Sequence, residues 1–364
     1  MNSEVQRINY NYLNIIKELP LLIKLRFKYK PTKIKNPKRI LIVDVCLIGD
    51  FIATAPALRQ FIKKKKMKVD LVVSPPIEPL AKRIKGVNEV FSVRSIYKRN
   101  IEKIKNKESV LKDYDLVLVM RLSDEAYELI KKTKFKGIES YLSPYLKYMC
   151  NLAKGVANKG KVKQWRDVNF EFIGEKKPKK VPFEDIFSFK KEDYNKIKSL
   201  FSRKDRTKKI IIHTGSGWDV KLWGNDNWME LLKQINQMGD FKFLFVGNTE
   251  KEKKDFVYIK ERLNFKIYSL INKVDLKELM LIMKSSDYFF GVDSGPRIIA
   301  DFVGLPSVSL LGPGPKYFMP TNNKSIIIDK SDCRCTNLFC YRKTSCVEKI
   351  KVKDVVKEFK KILN

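Results

Sequence analysis

The chain has 364 residues, enough for two domains of ordinary size, and its 44% of hydrophobic residues can fill their cores, which excludes a globally disordered protein. Lys and Arg total 75 against 41 acidic residues, and the formal net charge of +34 favours polyanionic partners such as nucleic acid, an anionic membrane surface or a phosphate-rich glycolipid. These basic residues are spread along the whole chain, so a generally Lys-rich composition explains the charge equally well.

No part of the sequence approaches the roughly 18 consecutive apolar residues that a helix needs to span a bilayer. The first residues, Met1 to Glu4, lack both the basic start and the apolar stretch of a signal peptide. Cys46 and Cys150 stand alone, which is unlike the disulfide-dense scaffold of a small secreted protein. We therefore expect a soluble, cytoplasmic protein.

Residues 1–36 form a basic amphipathic segment before the first clear strand. Leu13, Ile16 and Leu19 recur at helical spacing between lysines, which is typical of a helix lying on an anionic membrane. Pro20 interrupts the pattern, so two short helices, or a helix packed on the first domain, fit the same residues. Peripheral contact with an anionic inner membrane face is one interpretation of this segment.

From Lys38 onward, strands and helices alternate in two successive series, which is typical of parallel sheets with crossover helices. The first series has predicted strands at Arg39–Val45, Val69–Val73 and Asp115–Met120, and a predicted helix at Asp50–Lys65. The second has predicted strands at Lys209–Thr214, Lys242–Val246, Tyr288–Val292 and Ser307–Leu311, and helices at Asn225–Gln237, Thr249–Leu263, Asp275–Ser285 and Gly295–Val303. Asp275 and Glu278 form a predicted capping box at the start of one of these helices.

The predicted fold class is therefore α/β, with two Rossmann-like, doubly wound parallel-sheet domains facing a cleft. We place the first domain at residues 37–204 and the second at 205–348, the latter with a Cys-rich lobe at 332–346. A basic C-terminal helix follows within 349–364.

Gly49 and Asp50 follow the first strand, at the carboxyl end of the sheet where doubly wound folds bind their ligands. Gly49 allows a tight turn, and Asp50 begins the next helix. Asp is also a common helix N-cap, and a single Gly-Asp pair does not decide between a cap and a functional carboxylate.

The segment from His213 to Trp223 is a Gly-rich turn after the first strand of the second series. Its backbone N–H groups, the Ser216 hydroxyl and the Lys221 ammonium suit a diphosphate. The spacing matches neither a Walker A motif nor Gly-x-Gly-x-x-Gly, which argues against a P-loop NTPase and a plain dinucleotide site. A structural turn with Trp218 and Trp223 as packing residues also fits.

His213 is the single histidine of the chain. A lone His within a strand is more often a buried, hydrogen-bonded residue than a catalytic base. No second His is available to build a metal site or a Ser/His site.

Asp293, Ser294 and Gly295 stand between another predicted strand and an apolar helix. Their small side chains let a ligand approach the backbone, and the amino end of the helix favours an anionic group. Pro296 suits the first turn of that helix. Two such strand-end sites in one domain are what a nucleotide-diphosphate pocket needs.

Four cysteines cluster near the C-terminus, and their thiolates could hold Zn²⁺ or an iron–sulfur centre. Their spacing is not a double Cys-x-x-Cys, so reduced or paired structural cysteines fit as well. The cluster consists of Cys333, Cys335, Cys340 and Cys346. A structural zinc is one interpretation, and no catalytic metal is expected.

Three ordered motifs together resemble glycosyltransferase family nine, the heptosyltransferases that use ADP-heptose to build the inner core of lipopolysaccharide. The resemblance runs from about Arg39 to Ile350 and is weak in the middle of the chain. The motifs are Ile48-Gly49-Asp50 with Thr54-Ala55-Pro56-Ala57-Leu58, then Gly215-Ser216-Gly217-Trp218-Asp219-Val220-Lys221-Leu222-Trp223, then Asp293-Ser294-Gly295-Pro296 followed by Gly304-Leu-Pro306 and Leu311-Gly-Pro313.

The resemblance implies a GT-B architecture, in which the first domain binds mainly the acceptor and the second mainly the nucleotide-sugar donor. In this architecture the final helix, here within 349–364, often packs back on the first domain. It implies an inverting, metal-independent transfer of heptose from ADP-heptose to a lipopolysaccharide-core or related cell-envelope glycan, with Asp50 as the catalytic base. No cofactor is required in this scheme, and the acceptor is a lipid-linked anionic glycan. It also implies a set of substrate-binding residues, with Glu250 chosen for the ribose hydroxyls: Gly49, Ser216, Gly217, Lys221, Glu250, Asp293, Ser294, Gly295 and Arg297.

One departure from the family pattern concerns the donor. The family commonly has a His shortly after Asp-Ser-Gly-Pro, whereas this chain has Arg297 and Ile298 there. A donor contact is either lost or taken over by Arg297, so a transferase for another nucleotide sugar and a catalytically silent sugar-nucleotide-binding relative stay open as alternatives. A nucleic-acid-binding protein fits the charge alone, and no nucleic-acid-binding motif supports it.

Overall fold

The structure is a computed structural model that describes residues 36–65, 68–93, 113–120, 129–130, 133–140, 164–173, 176, 181–195, 197–198, 207–313, 318–331 and 345–363. The predicted amphipathic segment lies outside the described residues. The chain forms two compact units that divide between Ser188 and Phe189, whereas the sequence placed the boundary between residues 204 and 205. Among the described residues, no helix is both long and apolar enough to cross a membrane.

The described part of the first unit contains a five-stranded parallel sheet in the order β3-β2-β1-β4-β5. Its central strand is completely buried from Ile40 to Val43, as expected for a parallel sheet covered on both faces. The strands are β1 (Arg39–Asp44), β2 (Lys68–Val73), β3 (Val87–Ser92), β4 (Tyr114–Val119) and β5 (Phe135–Ser140). The helices are α1 (Ile48–Lys65), α2 (Glu78–Ala81), α3 (Trp165–Phe172) and α4 (Phe183–Ile186).

The described part of the second unit contains a six-stranded parallel sheet in the order β11-β10-β9-β6-β7-β8. The strands are β6 (Lys208–His213), β7 (Phe241–Phe245), β8 (Ile267–Ser269), β9 (Tyr288–Val292), β10 (Ser307–Leu310) and β11 (Ser325–Ile328). The helices are α5 (Lys191–Asn195), α6 (Asn225–Asn236), α7 (Glu250–Lys260), α8 (Leu276–Lys284), α9 (Gly295–Val303) and α10 (Val352–Leu363). Strand order reverses between β6 and β9, which makes this pair the topological switch point where such sheets bind ligands.

The two doubly wound α/β units confirm the predicted fold class. The predicted strands agree with the observed ones to within a residue at each end, because their continuous apolar runs are buried on both faces. The sequence missed β3, β5, β8 and β11, the four strands at the edges of the two sheets. Edge strands are partly exposed and carry polar residues such as Asn88 and Glu89, so their apolar signal is weak.

The predicted capping box at the start of α8 is confirmed. The Glu278 backbone N–H donates to Asp275 Oδ1 at 2.8 Å, and the Asp275 N–H donates to Glu278 Oε2 at 2.9 Å. A second capping box, which the sequence analysis missed, joins Thr249 and Glu252 at the start of α7.

The apolar face of the C-terminal helix packs within the second unit, and packing of this helix on the first domain stays a prediction. Val355, Val356 and Phe359 of α10 are buried in the hydrophobic core of the second unit. Trp223, also in that core, donates its indole N–H to the Ile350 carbonyl at 2.8 Å, just before the helix. Apolar residues three and four apart form one stripe, and the second sheet covers it.

Candidate active site

Lys221 and Asp293 meet at the switch point of the second sheet. Lys221 ends a short 3₁₀ turn after β6, and Asp293 directly follows β9. The Lys221 ammonium donates to Asp293 Oδ2 at 2.6 Å, and Lys221 is only 7% exposed. The structure therefore brings together two residues that were predicted to bind the nucleotide sugar and that are 72 residues apart in the sequence.

Arg297 holds the other oxygen of the same carboxylate. It lies in the first turn of α9, and its Nε donates to Asp293 Oδ1 at 3.0 Å, while Nη2 lies 2.9 Å from the same oxygen as an ion pair. Nη2 also donates to the Phe318 carbonyl at 2.8 Å, and the side chain is 3% exposed. Arg297, in the stretch where the family commonly has a His, is thus a buried partner of Asp293.

These three side chains form a cluster with one excess positive charge, hereafter the cationic cluster (Lys221, Asp293, Arg297). Burial raises the pKa of Asp293, but the charges of Arg297 and Lys221 outweigh burial and lower the pKa below its usual value. The carboxylate is therefore ionised and neutralises one of the two cations. The remaining charge, in a partly desolvated position, is suited to an anionic ligand.

Gly312, in the third predicted motif, provides the space that Lys221 occupies. A Cβ added at this position would lie 2.7 Å from Lys221 Cγ and 3.1 Å from Lys221 Cβ. Any larger residue would therefore displace the lysine stem. This gives a steric reason for the glycine between Leu311 and Pro313.

Three further loops are joined by a hydrogen-bonded chain that runs from Glu252 through His213 to Ser294, hereafter the Glu252–His213–Ser294 chain. His213 Nε2 lies 2.9 Å from Glu252 Oε1, and His213 Nδ1 lies 3.0 Å from the Ser294 hydroxyl. The Ser294 hydroxyl also lies 3.1 Å from the Val292 carbonyl. The interpretation of His213 as a buried, hydrogen-bonded residue is confirmed, since it is 5% exposed.

Glu252 is enclosed by two glycines. A Cβ at Gly215 would lie 2.0 Å from Glu252 Oε1, and a Cβ at Gly247 would lie 2.6 Å from the carboxyl carbon. Burial raises the pKa of Glu252, but its hydrogen bonds to His213, Thr249 and Asn248 and the charge of His213 lower it to about 2. Gly215 therefore makes room for a buried carboxylate of the protein itself.

The other predicted residues of the second unit have more open surroundings. Ser216 accepts a hydrogen bond from the Trp218 backbone N–H at 3.2 Å, and Gly217 is exposed with open space around its Cα. Glu250 is exposed at the start of α7, and its Oε2 lies 3.8 Å from Lys253 Nζ. The role of Glu250 at the ribose stays a prediction. The buried acid of this helix is instead Glu252, and the Thr-x-x-Glu capping signature could have identified it.

In the first unit, Asp50 lies in the first turn of α1. The prediction that this helix begins at Asp50 is wrong, because it begins two residues earlier, at Ile48, which also rules out the alternative of Asp50 as the N-cap. Gly49 lies within the same turn of helix, so the predicted tight turn at Gly49 is wrong as well. The Asp50 side chain is half-buried at the carboxyl end of β1, which is the ligand-binding end of a doubly wound sheet.

The Cys cluster falls mostly outside the described residues. Cys333, Cys335 and Cys340 are not described, and Cys346 is buried. Within the described ranges, no three His, Cys, Asp or Glu side chains are grouped so that they could hold a metal ion. A structural zinc stays a prediction.

Comparisons with known proteins agree on one family. The model of glycosyltransferase family 9 (heptosyltransferase) matches residues 107–350. The chain is 27% identical over 357 residues to "Lipopolysaccharide heptosyltransferase 1" of Campylobacter coli, covering 89% of this chain and 98% of that protein.

Solved structures share the fold. The ADP-heptose lps heptosyltransferase II of E. coli superposes with a TM-score of 0.67 at 17% identity, covering 89% of this chain and 98% of the other. A family 9 glycosyl transferase from Veillonella parvula gives a TM-score of 0.69 at 16% identity, covering 90% and 99%. These similarities confirm the GT-B fold class. Since the family model matches about two thirds of its length, the chain belongs to glycosyltransferase family 9 (heptosyltransferase) and is a glycosyltransferase.

Proposed function

We propose that this glycosyltransferase moves heptose from ADP-heptose to a lipopolysaccharide-core or related cell-envelope glycan, with inversion and without a divalent metal. The relatives named above as heptosyltransferases support the sugar and the class of acceptor. The observation that carries the proposal is the cationic cluster at the switch point of the second sheet, with one positive charge in excess.

The donor diphosphate binds at this cluster. As the bond between the sugar and ADP breaks, negative charge grows on the diphosphate, and Lys221 stabilises it in place of a metal ion. Backbone N–H groups of the loop around Ser216 and Gly217 and the amino end of α9 at Gly295 add further donors. Asp293 holds the ammonium in position and contacts the donor sugar.

Asp50 is the proposed catalytic base. Its carboxylate takes the proton of the acceptor hydroxyl while that oxygen attacks the anomeric carbon and ADP leaves. Its place in the first turn after β1, at the ligand-binding end of the first sheet, supports this role.

The acceptor is lipid-linked and anionic, so the enzyme works in the cytoplasm, in peripheral contact with the inner membrane. The net charge of +34 supports this, as do exposed lysines on the last helix, including Lys353, Lys357 and Lys360. Flotation with anionic vesicles should recover the protein at low salt and lose it at high salt. Equal recovery with uncharged phosphatidylcholine vesicles would contradict the electrostatic contact.

The decisive test is transfer by the Asp50→Asn variant. With ADP-heptose and a heptose-deficient lipopolysaccharide acceptor, wild type should form product, and the variant should lose about 100- to 10,000-fold in kcat while still binding ADP. Asp185→Asn is the matched control, since Asp185 is an exposed carboxylate of the same unit. Unchanged turnover in Asp50→Asn removes Asp50 from the mechanism.

The wild-type assay also separates the alternatives. Transfer only from another nucleotide sugar would replace the proposed donor. Donor binding without transfer or hydrolysis would identify a silent relative. Transfer that persists in excess EDTA is expected, and its loss would contradict metal independence.

A further inference from the structure

The Glu252–His213–Ser294 chain crosses the switch point and links three loops of the donor-binding unit. Glu252 lies on α7 after β7, His213 ends β6, and Ser294 follows β9. Glu252 and His213 are each 5% exposed. The cationic cluster contains none of these residues, yet Ser294 directly follows Asp293.

The direction of the hydrogen bond between Glu252 and His213 follows from the ionised acid. Glu252 Oε2 accepts from the Asn248 and Thr249 N–H groups, both at 2.9 Å, and from the Thr249 hydroxyl at 2.7 Å. A carboxylate only accepts, so the proton between Glu252 Oε1 and His213 Nε2 is on the imidazole. Glu252 thereby fixes the ring, and Nδ1 points at the Ser294 hydroxyl.

Ser294 is the N-cap residue of α9, yet its side chain makes no capping hydrogen bond. A Ser in this position ordinarily accepts from the N–H of the second or third helical residue. The second residue here is Pro296, which has no N–H, so the Arg297 N–H is the remaining candidate. The Ser294 hydroxyl is instead turned back towards His213 and the Val292 carbonyl.

We propose that His213, oriented by Glu252, is a positioning residue that keeps the Ser294 hydroxyl away from the amino end of α9, so that backbone N–H groups there are available to a phosphate of the donor. The inference rests on the proposed function, because it assigns that helix end to the diphosphate. Without His213, the hydroxyl is free to cap its own helix and compete with the ligand for the same donor.

His213→Gln tests this with little change of shape. The Gln amide nitrogen can take the place of Nε2 and still donate to Glu252, while no atom replaces Nδ1. The dissociation constant of ADP, measured by calorimetry, should rise about 3- to 10-fold, the effect of one hydrogen bond. The donor KM should rise by a similar factor while kcat changes less, because the interaction is lost in ground and transition states alike.

The same substitution in a Ser294→Ala background shows whether His213 acts through the hydroxyl. With no hydroxyl to misplace, His213→Gln should change ADP affinity less than about twofold in that background, so the two substitutions should be non-additive. Glu252→Gln gives a second route. It should weaken ADP binding in the same direction and be suppressed by Ser294→Ala in the same way.

Melting temperatures of all variants show whether any of them has lost its fold. If His213→Gln has done so, the comparison of Glu252→Gln with and without Ser294→Ala tests the inference instead. Unchanged ADP affinity in both His213→Gln and Glu252→Gln overturns the inference, as does an equal loss with and without Ser294. If wild type binds ADP but the variants do not show the expected changes, only the inference is overturned. Wild type that does not bind ADP overturns the proposed donor and this inference with it.

Discussion

Asp70 in the first sheet and Asp293 after the second are both carboxylates held by cationic side chains, yet they lie at opposite ends of their strands. Asp70 is fully buried near the amino end of the first sheet and accepts from Arg39 at 3.0 Å and from the Tyr114 hydroxyl at 2.8 Å. Its second oxygen accepts from the Asn88 amide at 2.8 Å and from a backbone N–H at 3.1 Å. Burial, with the hydrogen bond to Asp70, raises the pKa of Tyr114.

The difference in charge and position separates a structural site from a binding site. The Asp70 cluster pairs one anion with one cation and lies away from the ligand-binding end of the sheet. The cationic cluster around Asp293 has two cations for one anion and lies at that end. Substitutions at the first should therefore change stability, and substitutions at the second should change donor use.

Among substitutions at these two carboxylate clusters, Lys221→Met should have the largest effect, because it removes the excess charge. We expect kcat to fall about 100- to 1,000-fold, comparable to the loss of one donor that stabilises developing charge. Steady-state kinetics with ADP-heptose measure it. Lys277→Met is a matched control, since it breaks the Lys277–Asp193 ion pair of the same unit, and it should leave turnover unchanged. Equal losses in both variants would contradict the assignment.

Asp70→Ala should lower the free energy of unfolding by about 3 kcal/mol, the lower end of the cost of breaking a buried pair. The lower end applies because the Arg39 side chain is 36% exposed and is hydrated once its partner is lost. Urea denaturation measures the change, and Tyr114→Phe should cost only about 1 kcal/mol because it removes a single hydrogen bond. A changed ADP affinity of the folded variant would contradict the comparison.

Gly312→Ala should disturb the cationic cluster without touching a charge. The added methyl group would clash with Lys221 Cγ, and overpacking of this kind costs about 1–3 kcal/mol. We expect ADP affinity to fall about 10-fold by calorimetry. In a Lys221→Ala background, which lacks Cγ, the further loss should be small. A further 10-fold loss of ADP affinity in that background would show that Gly312→Ala does not act through the Lys221 side chain.

Glu252 should also change how stability depends on pH, and this effect on stability is confined to acid pH. Because its folded-state pKa is lowered from 4.5 to about 2, the ionised carboxylate stabilises the folded chain above pH 4.5, and this contribution is lost as the pH falls towards 2. Glu252→Gln has no proton to gain at this position. As the pH falls over this range, the urea midpoint of unfolding should therefore fall less in this variant than in wild type. Equal falls in both proteins would contradict the lowered pKa of Glu252.

The sequence predicted the sheets and the loops of the site because both leave local signals. β1 and β6 are continuous apolar runs, and the loops after β6 and β9 are rich in glycine at strand ends. Lys221 and Asp293 were therefore assigned to one binding region, although no local pattern shows that they bond each other. That contact depends on β6 and β9 being neighbours, which is a property of the strand order.

Two features of the site depend on contacts that the sequence does not show. Glu250 and Glu252 are two residues apart on one helix, and only the packing of Gly215 and Gly247 shows which one is buried. Arg297 holds Asp293 and the Phe318 carbonyl, and a donor contact of Arg297 stays a prediction. Both depend on tertiary contacts between loops, which residue type and spacing do not encode.

A crystal structure of the chain with ADP would show whether the cationic cluster holds the donor diphosphate. We expect a phosphate oxygen within about 3 Å of the Lys221 ammonium, the distance of a charge-assisted hydrogen bond, with the diphosphate at the amino end of α9. ADP bound at another site, with Lys221 in contact with Asp293 alone, would contradict it.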